Sequence, residues 1–173
     1  MTPFGRLAAA RQSGRSAAEH LVAAMQDGGK IIYLRYLPAD GADGARVLGR
    51  ALYALRVPLN EILAAPVIQA RRTAEVAFGT ERLREAPELA DAETAANALQ
   101  ALRRLLRTIP GPGMNRVLVG ERAPLELAAE RRFSNTMLPA GGMAVFLAGD
   151  TLQLLGTITA ERVIASAKTR GAL

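Results

Sequence analysis

A layered α/β domain, three layers α/β/α around a largely parallel central sheet with an antiparallel hairpin at its edge, is the fold class this sequence predicts. Three observations carry that reading. Short apolar runs at Lys30-Ile31-Ile32-Tyr33-Leu34-Arg35-Tyr36, Glu61-Ile62-Leu63-Ala64 and Arg116-Val117-Leu118-Val119-Gly120 have the look of buried strands. Stripes of helical period fall between them, the alternation that builds parallel sheets. Two last runs, Ala144-Val145-Phe146-Leu147 and Leu152-Gln153-Leu154-Leu155-Gly156-Thr157, flank a turn at Gly149-Asp150 and read as a hairpin.

Taken in order, residues 1–15 carry Arg6, Arg11 and Arg15 without an acid and are expected to be a flexible leader, with one domain over 16–173. Ser16-Ala17-Ala18-Glu19 has the form of a capping box, in which hydroxyl and carboxylate each serve an orphan amide. Leu21, Val22 and Met25 supply the apolar face of that helix, and Gly28-Gly29 stops it before the first strand. His20, the sole histidine, is expected on the helix surface, because no second histidine or carboxylate cluster accompanies it.

The turn-rich segment 38–44 reads as a rim loop; it lacks the closing glutamate of a calcium loop. From Asp43, the residues Val47, Leu48, Ala51, Leu52 and Leu55 form one stripe against the sheet. Pro58 ends this helix, and Pro66 is expected to open the next, with Val67, Ala70, Ala74, Ala77 and Phe78 inward and Gly79 as its stop. Residues 80–90, with Pro87, read as an extended or irregular connection. Asp91 is the expected cap of a helix burying Ala95, Ala98, Leu99, Leu102, Leu105 and Leu106. Arg103, Arg104 and Arg107 lie in its last turns, where cations oppose the negative end of the dipole. Pro110-Gly111-Pro112-Gly113 is a loop, Pro124 opens a short helix through Glu130, and a last helix starts near Ala160.

With 173 residues and 50% hydrophobic content, the chain can bury a single core, built from Leu, Ala, Val and Ile because only 4% of it is aromatic. The absence of Cys excludes disulfides, thiolate metal sites and a Cys nucleophile, and suits a reducing, cytoplasmic setting. No apolar run reaches membrane-spanning length, so no membrane partner is expected. The formal charge is +6, but the basic residues are scattered along helices rather than blocked, so nucleic acid is not the expected partner.

In an open α/β sheet, ligands bind beyond the carboxyl ends of the strands, so Arg35, Tyr36, Ala65 and Glu121 should share one cleft. Leu34-Arg35-Tyr36, Ala65-Pro66-Val67-Ile68-Gln69-Ala70-Arg71-Arg72-Thr73-Ala74 and Val117-Leu118-Val119-Gly120-Glu121 also carry a resemblance. In order and spacing they resemble three motifs of the histidine phosphatase superfamily: Leu-Arg-His, Ser-Pro-x-x-Arg-Ala-x-x-Thr-Ala and Val-Leu-Val-Gly-His. The resemblance covers roughly residues 20–160 and implies a phosphoglycerate mutase-like fold.

In that family the first histidine attacks phosphorus, while two arginines and a second histidine hold the phosphoryl oxygens. Motif for motif, the nucleophile position falls on Tyr36, its neighbouring arginine on Arg35, the second arginine on Gln69 and the second histidine on Glu121. Only Arg35 keeps the family's residue. Arg72, nearly one helical turn beyond Gln69, is the candidate substitute for the missing guanidinium. The family's acid donor has no assigned position here.

Two unit charges 4 Å apart interact by about 4 kcal/mol at an effective dielectric near 20, so a carboxylate at Glu121 turns a phosphate site repulsive. Glutamine at 69 forfeits a bidentate contact as well. Tyr36 can act as a nucleophile beside a base, yet a phenol's ordinary pKa near 10 makes it a weak one. The bland expectations are a Tyr36 hydroxyl bonded to a neighbouring carboxylate, Glu121 ion-paired with Arg35, and Gln69 as a polar wall of the cleft.

The sequence therefore predicts a non-phosphatase member of the superfamily, a pseudophosphatase that binds or scaffolds a protein partner or small molecule, without cofactor or metal. A homo-oligomer is compatible with it. The alternative is an enzyme using Tyr36, Glu121 and Arg35 for acid–base chemistry of isomerase, lyase or cyclase type on a non-phosphate substrate. A third reading gives the basic surface an acidic partner or RNA.

Overall fold

The computed structural model describes residues 17–90 and 96–173. The expected leader, the Ser16 cap, the Asp91 cap and Ala95 lie outside them. Helix α1 covers residues 17–26, followed by β1 (Lys30–Arg35), α2 (Ala42–Ala54), β2 (Leu59–Ala64), α3 (Ile68–Phe78) and β3 (Leu83–Glu85). After a 3-10 turn at Pro87–Leu89 come α4 (Ala96–Arg107), β4 (Asn115–Gly120), α5 (Arg122–Ala129), β5 (Met143–Leu147), β6 (Gln153–Ile158) and α6 (Ala160–Thr169).

The six strands form one sheet in the order β3-β2-β4-β1-β5-β6. Strands β3, β2, β4 and β1 pair in parallel, and β5 and β6 are antiparallel. The steps β1 to β2 and β2 to β3 run one way along the sheet, and β3 to β4 runs back. Right-handed crossovers therefore send α2 and α3 to one face and α4 to the other. The contacts agree, since α2 packs on α3 and α6 while α4 packs on α5. The α/β/α layering with its antiparallel edge is as the sequence predicts.

The core is aliphatic, with Ile31, Ile32, Leu34, Val117, Leu118 and Val119 fully buried at the sheet centre. Leu21, Val22 and Met25 are buried as the helical stripe requires, and His20 is exposed. Gly28 ends α1 at φ +74°, and a Cβ there would collide with the Gly113 carbonyl, so the residue after the helix must be glycine twice over.

Several local readings change. Val47 lies on the solvent flank of α2, and the buried positions are Ala45, Leu48, Gly49, Ala51 and Leu52. Pro66 precedes the extended cap residue Val67, so α3 starts two residues later than a proline at its first position would place it. Pro124 falls inside the first turn of α5, which starts at Arg122 behind Glu121. The connection 80–90 contains the edge strand β3, whose Leu83 is half-buried while Arg84 and Glu85 are exposed.

Asn115 opens β4 and is fully buried. Its amide nitrogen donates to Met25 O at 2.7 Å and Pro58 O at 2.9 Å, and its Oδ1 accepts from Lys30 N at 3.0 Å. One side chain thus satisfies the chain ends of α1, β1 and β2 where they leave regular structure. Asn115→Ala removes three hydrogen bonds and leaves Lys30 N without its acceptor, while Pro58 O keeps the residue-115 N–H and Met25 O keeps Gly28 N; it is expected to cost roughly 1–3 kcal/mol in urea denaturation, with the slope of the transition unchanged.

Candidate functional site

Parallel pairing of β1 with β4 sets the site. Arg35 is in register with Gly120, and the Tyr36 N–H donates to Gly120 O at 3.4 Å, so Tyr36 and Glu121 leave the sheet side by side. On the other flank of β4, Ala65 N donates to Val119 O at 2.9 Å, which brings the start of α3 to the same end. Leu37 N donates to Thr73 Oγ1 at 3.0 Å, tying the exit of β1 to α3 through a buried hydroxyl. Tyr36, Ala65 and Glu121 therefore sit at the carboxyl ends of neighbouring strands.

The Tyr36 hydroxyl lies 3.3 Å from Glu121 Oε1 and donates to it. Glu121 is also the residue that caps α5, yet its side chain makes no bond to the helix amides. Its carboxylate turns to the phenol instead, still near the positive end of α5, which favours the negative charge.

Beneath this pair lies a second phenol. Tyr33 is fully buried, and its hydroxyl donates to the Glu121 backbone oxygen at 2.6 Å. Burial first, and the Glu121 carboxylate second, push the Tyr33 phenol far above its ordinary pKa, so it stays a donor. A Cβ on Gly120 would sit 2.5 Å from this hydroxyl and 2.9 Å from Leu89 O, so only glycine admits Tyr33 here. The Gly-Glu pair of the third motif is thus a space for Tyr33 followed by an acceptor for Tyr36.

Arg35 turns away from Glu121. The expected ion pair between them does not form, because Arg35 Nη1 donates to Asn135 Oδ1 at 3.1 Å and to Leu138 O at 3.0 Å. Among the described residues no carboxylate lies within ion-pair distance of Arg35. Arg122 Nη1 donates to the same Asn135 oxygen at 2.6 Å, with Glu126 Oε1 3.9 Å from its Nε. Two cationic nitrogens sharing one acceptor lie within about 6 Å of each other, where like charges repel by roughly 1–3 kcal/mol depending on solvent screening.

Gln69 and Arg72 occupy the α3 side. With Pro38, Ile68 and Thr73 they line a cavity of about 50 Å³, and neither Tyr36 nor Glu121 is part of its wall. Arg72 is exposed, and Arg71 points to Glu85 at 3.9 Å. Sequence reasoning missed four contributors: Tyr33, Thr73, Arg122 and Asn135. Thr73 stands inside the second motif and Tyr33 inside the strand, so both were in view as residues; no pattern marks Asn135.

No family model matches the chain, and no curated protein sequence matches it. Solved structures do. A protein histidine phosphatase SixA complexed with tungstate superposes with a TM-score of 0.57 at 13% identity, over 78% of this chain and 99% of that one. The chain has a phosphoglycerate mutase-like fold. Phosphoglycerate mutase from Plasmodium falciparum (TM-score 0.52, 17% identity, 72% of this chain and 87% of that one) is similar in the same way. So is a mutant phosphoserine phosphatase from Entamoeba histolytica in complex with phosphoserine (0.55, 12%, 77% and 98%). At such identities the likeness concerns the fold.

The buried phenol yields a pH prediction. A folded-state pKa raised above the unfolded one gives stability that is complete below about pH 10, the ordinary phenol value, and is lost as pH rises further, because the unfolded chain then releases a proton that the fold retains. Alkaline titration followed by tyrosinate absorbance should show Tyr33 ionising only together with unfolding, and Tyr33→Phe should remove that step.

Proposed function

We propose that the chain is a non-phosphatase member of the histidine phosphatase superfamily, a cytoplasmic binding or scaffolding protein of one domain over 16–173 behind a leader at 1–15. The observation that carries this reading is the 3.3 Å bond between the Tyr36 phenol and the Glu121 carboxylate. The resemblance puts the family's two histidines at these positions, where they meet a phosphoryl group. Here the two side chains satisfy each other, and the carboxylate repels a dianion.

The rest of the corner supports the same reading. Arg35, the one of the four phosphate-site positions that keeps the family's residue, donates through its Nη1 to Asn135 and Leu138 O. Gln69 offers no charge, and Arg72 is exposed on the α3 rim. Among the described residues no helix is long and apolar enough to cross a membrane, and no group of three or more His, Cys, Asp or Glu could hold a metal ion.

A second reading is favoured by the same bond: a phenol within reach of a carboxylate is a usable acid–base pair, suited to isomerisation, elimination or cyclisation of a non-phosphate substrate. In that case Tyr36→Phe and Glu121→Gln would each abolish turnover of such a substrate. Under the binding reading the same substitutions alter affinity without removing any reaction.

The decisive assay is hydrolysis of phosphomonoesters by purified protein, with vanadate as a thermal-shift ligand. No rate above the buffer blank and no stabilisation by vanadate are expected. A phosphatase rate that vanishes with Tyr36→Phe would overturn the proposal.

A further inference from the structure

We propose that Arg35, Arg122 and Asn135 form a carboxylate-binding site at the mouth of the sheet, in which an incoming carboxylate displaces the Asn135 oxygen and takes both guanidiniums. The inference rests on the reading above, a corner without phosphate chemistry, and adds the class of ligand. Arg122 lies outside the three motifs, so the pair belongs to this chain's own sequence.

The geometry starts from an imbalance. Two guanidiniums from different elements, the end of β1 and the start of α5, converge on one neutral amide oxygen at 3.1 and 2.6 Å. Both bonds already have an ionised donor, and an anionic oxygen in that place adds direct charge–charge attraction to each guanidinium, so it is the better acceptor. It also relieves the repulsion between the two cations.

Asn135 is suited to give way. It is exposed in a turn closed on itself, in which Leu138 N donates to Ser134 O at 2.9 Å and Met137 N to Ser134 Oγ at 3.1 Å. Leu138 is buried and anchors that turn while its carbonyl holds the other side of Arg35 Nη1. The guanidinium of Arg35 is thus fixed from below, and its outward partner is a surface amide.

The charges around the site choose among anions. Glu126 lies 3.9 Å from the Arg122 Nε, so a dianion would meet a carboxylate as well as two arginines. A singly charged, planar carboxylate gains both forks with the least repulsion. Its two oxygens match two donors on separate arginines.

The test is NMR titration of the full chain, read at the arginine Nε–H and Asn135 side-chain amide signals. Four probes are added: acetate, an acetylated dipeptide with a free carboxyl terminus, the same dipeptide as its amide, and inorganic phosphate. Saturable shifts of Arg35, Arg122 and Asn135 are expected with acetate, the free-acid dipeptide or both, and the arm that binds tells a small acid from a chain terminus. Arg122→Ala should weaken that binding about tenfold, the share of one charge-assisted contact, while Asn135→Ala, which removes the competing oxygen, should leave it intact or tighten it.

No saturation in any arm, or an equal response to the amide, overturns the carboxylate site alone. Phosphate binding more tightly than either acid, with shifts of the Tyr36 ring, overturns the non-phosphatase reading beneath it.

Discussion

A buried phenol, its pKa pushed far above the ordinary value by burial, holds the turn on which the site is built. Tyr33, fully buried in the central strand, donates to the backbone oxygen of Glu121, and that single bond fixes the point where β4 becomes α5. Gly120 leaves the room for it. With the backbone set, the Glu121 side chain projects toward Tyr36, one residue past the end of β1, and away from the helix it would otherwise cap.

Charge and polar burial follow the same pattern at the opposite end of the strands. Arg116, nearly buried in β4, meets Glu61 of β2 at 2.5 Å and donates to Thr108 O at 2.8 Å and Leu105 O at 3.3 Å, closing the carbonyl end of α4. Asn115 beside it closes α1, β1 and β2. The strand that carries Glu121 at one end is therefore bolted to three neighbours at the other. A site at the carboxyl end of such a strand inherits its rigidity, which suits recognition by preset groups.

The fold was legible because period and length do most of its specification: buried runs of five or six apolar residues separated by helical stripes admit few layered arrangements. Strand β3 escaped because Leu83-Arg84-Glu85 is short, charged and at an edge, where one face and one flank remain in water. Val47 was misplaced because a stripe read at four-residue spacing also touches the helix flank; the packed positions begin instead at Ala45. The neighbourhood of Tyr36 and Glu121 followed from strand adjacency. The partner of Arg35 did not, since the choice between Glu121 and Asn135 is made by the turn at 134–138, whose conformation no local pattern announces.

The account stands or falls on whether the corner holds a dianion. Phosphorus NMR of inorganic phosphate, taken with and without the protein at low ionic strength, measures this directly. A line that keeps its position and width is predicted, because the Glu121 carboxylate beside the bonded phenol repels a dianion. A broadened or shifted line that reverts with Arg35→Ala while Tyr36 stays intact would contradict it.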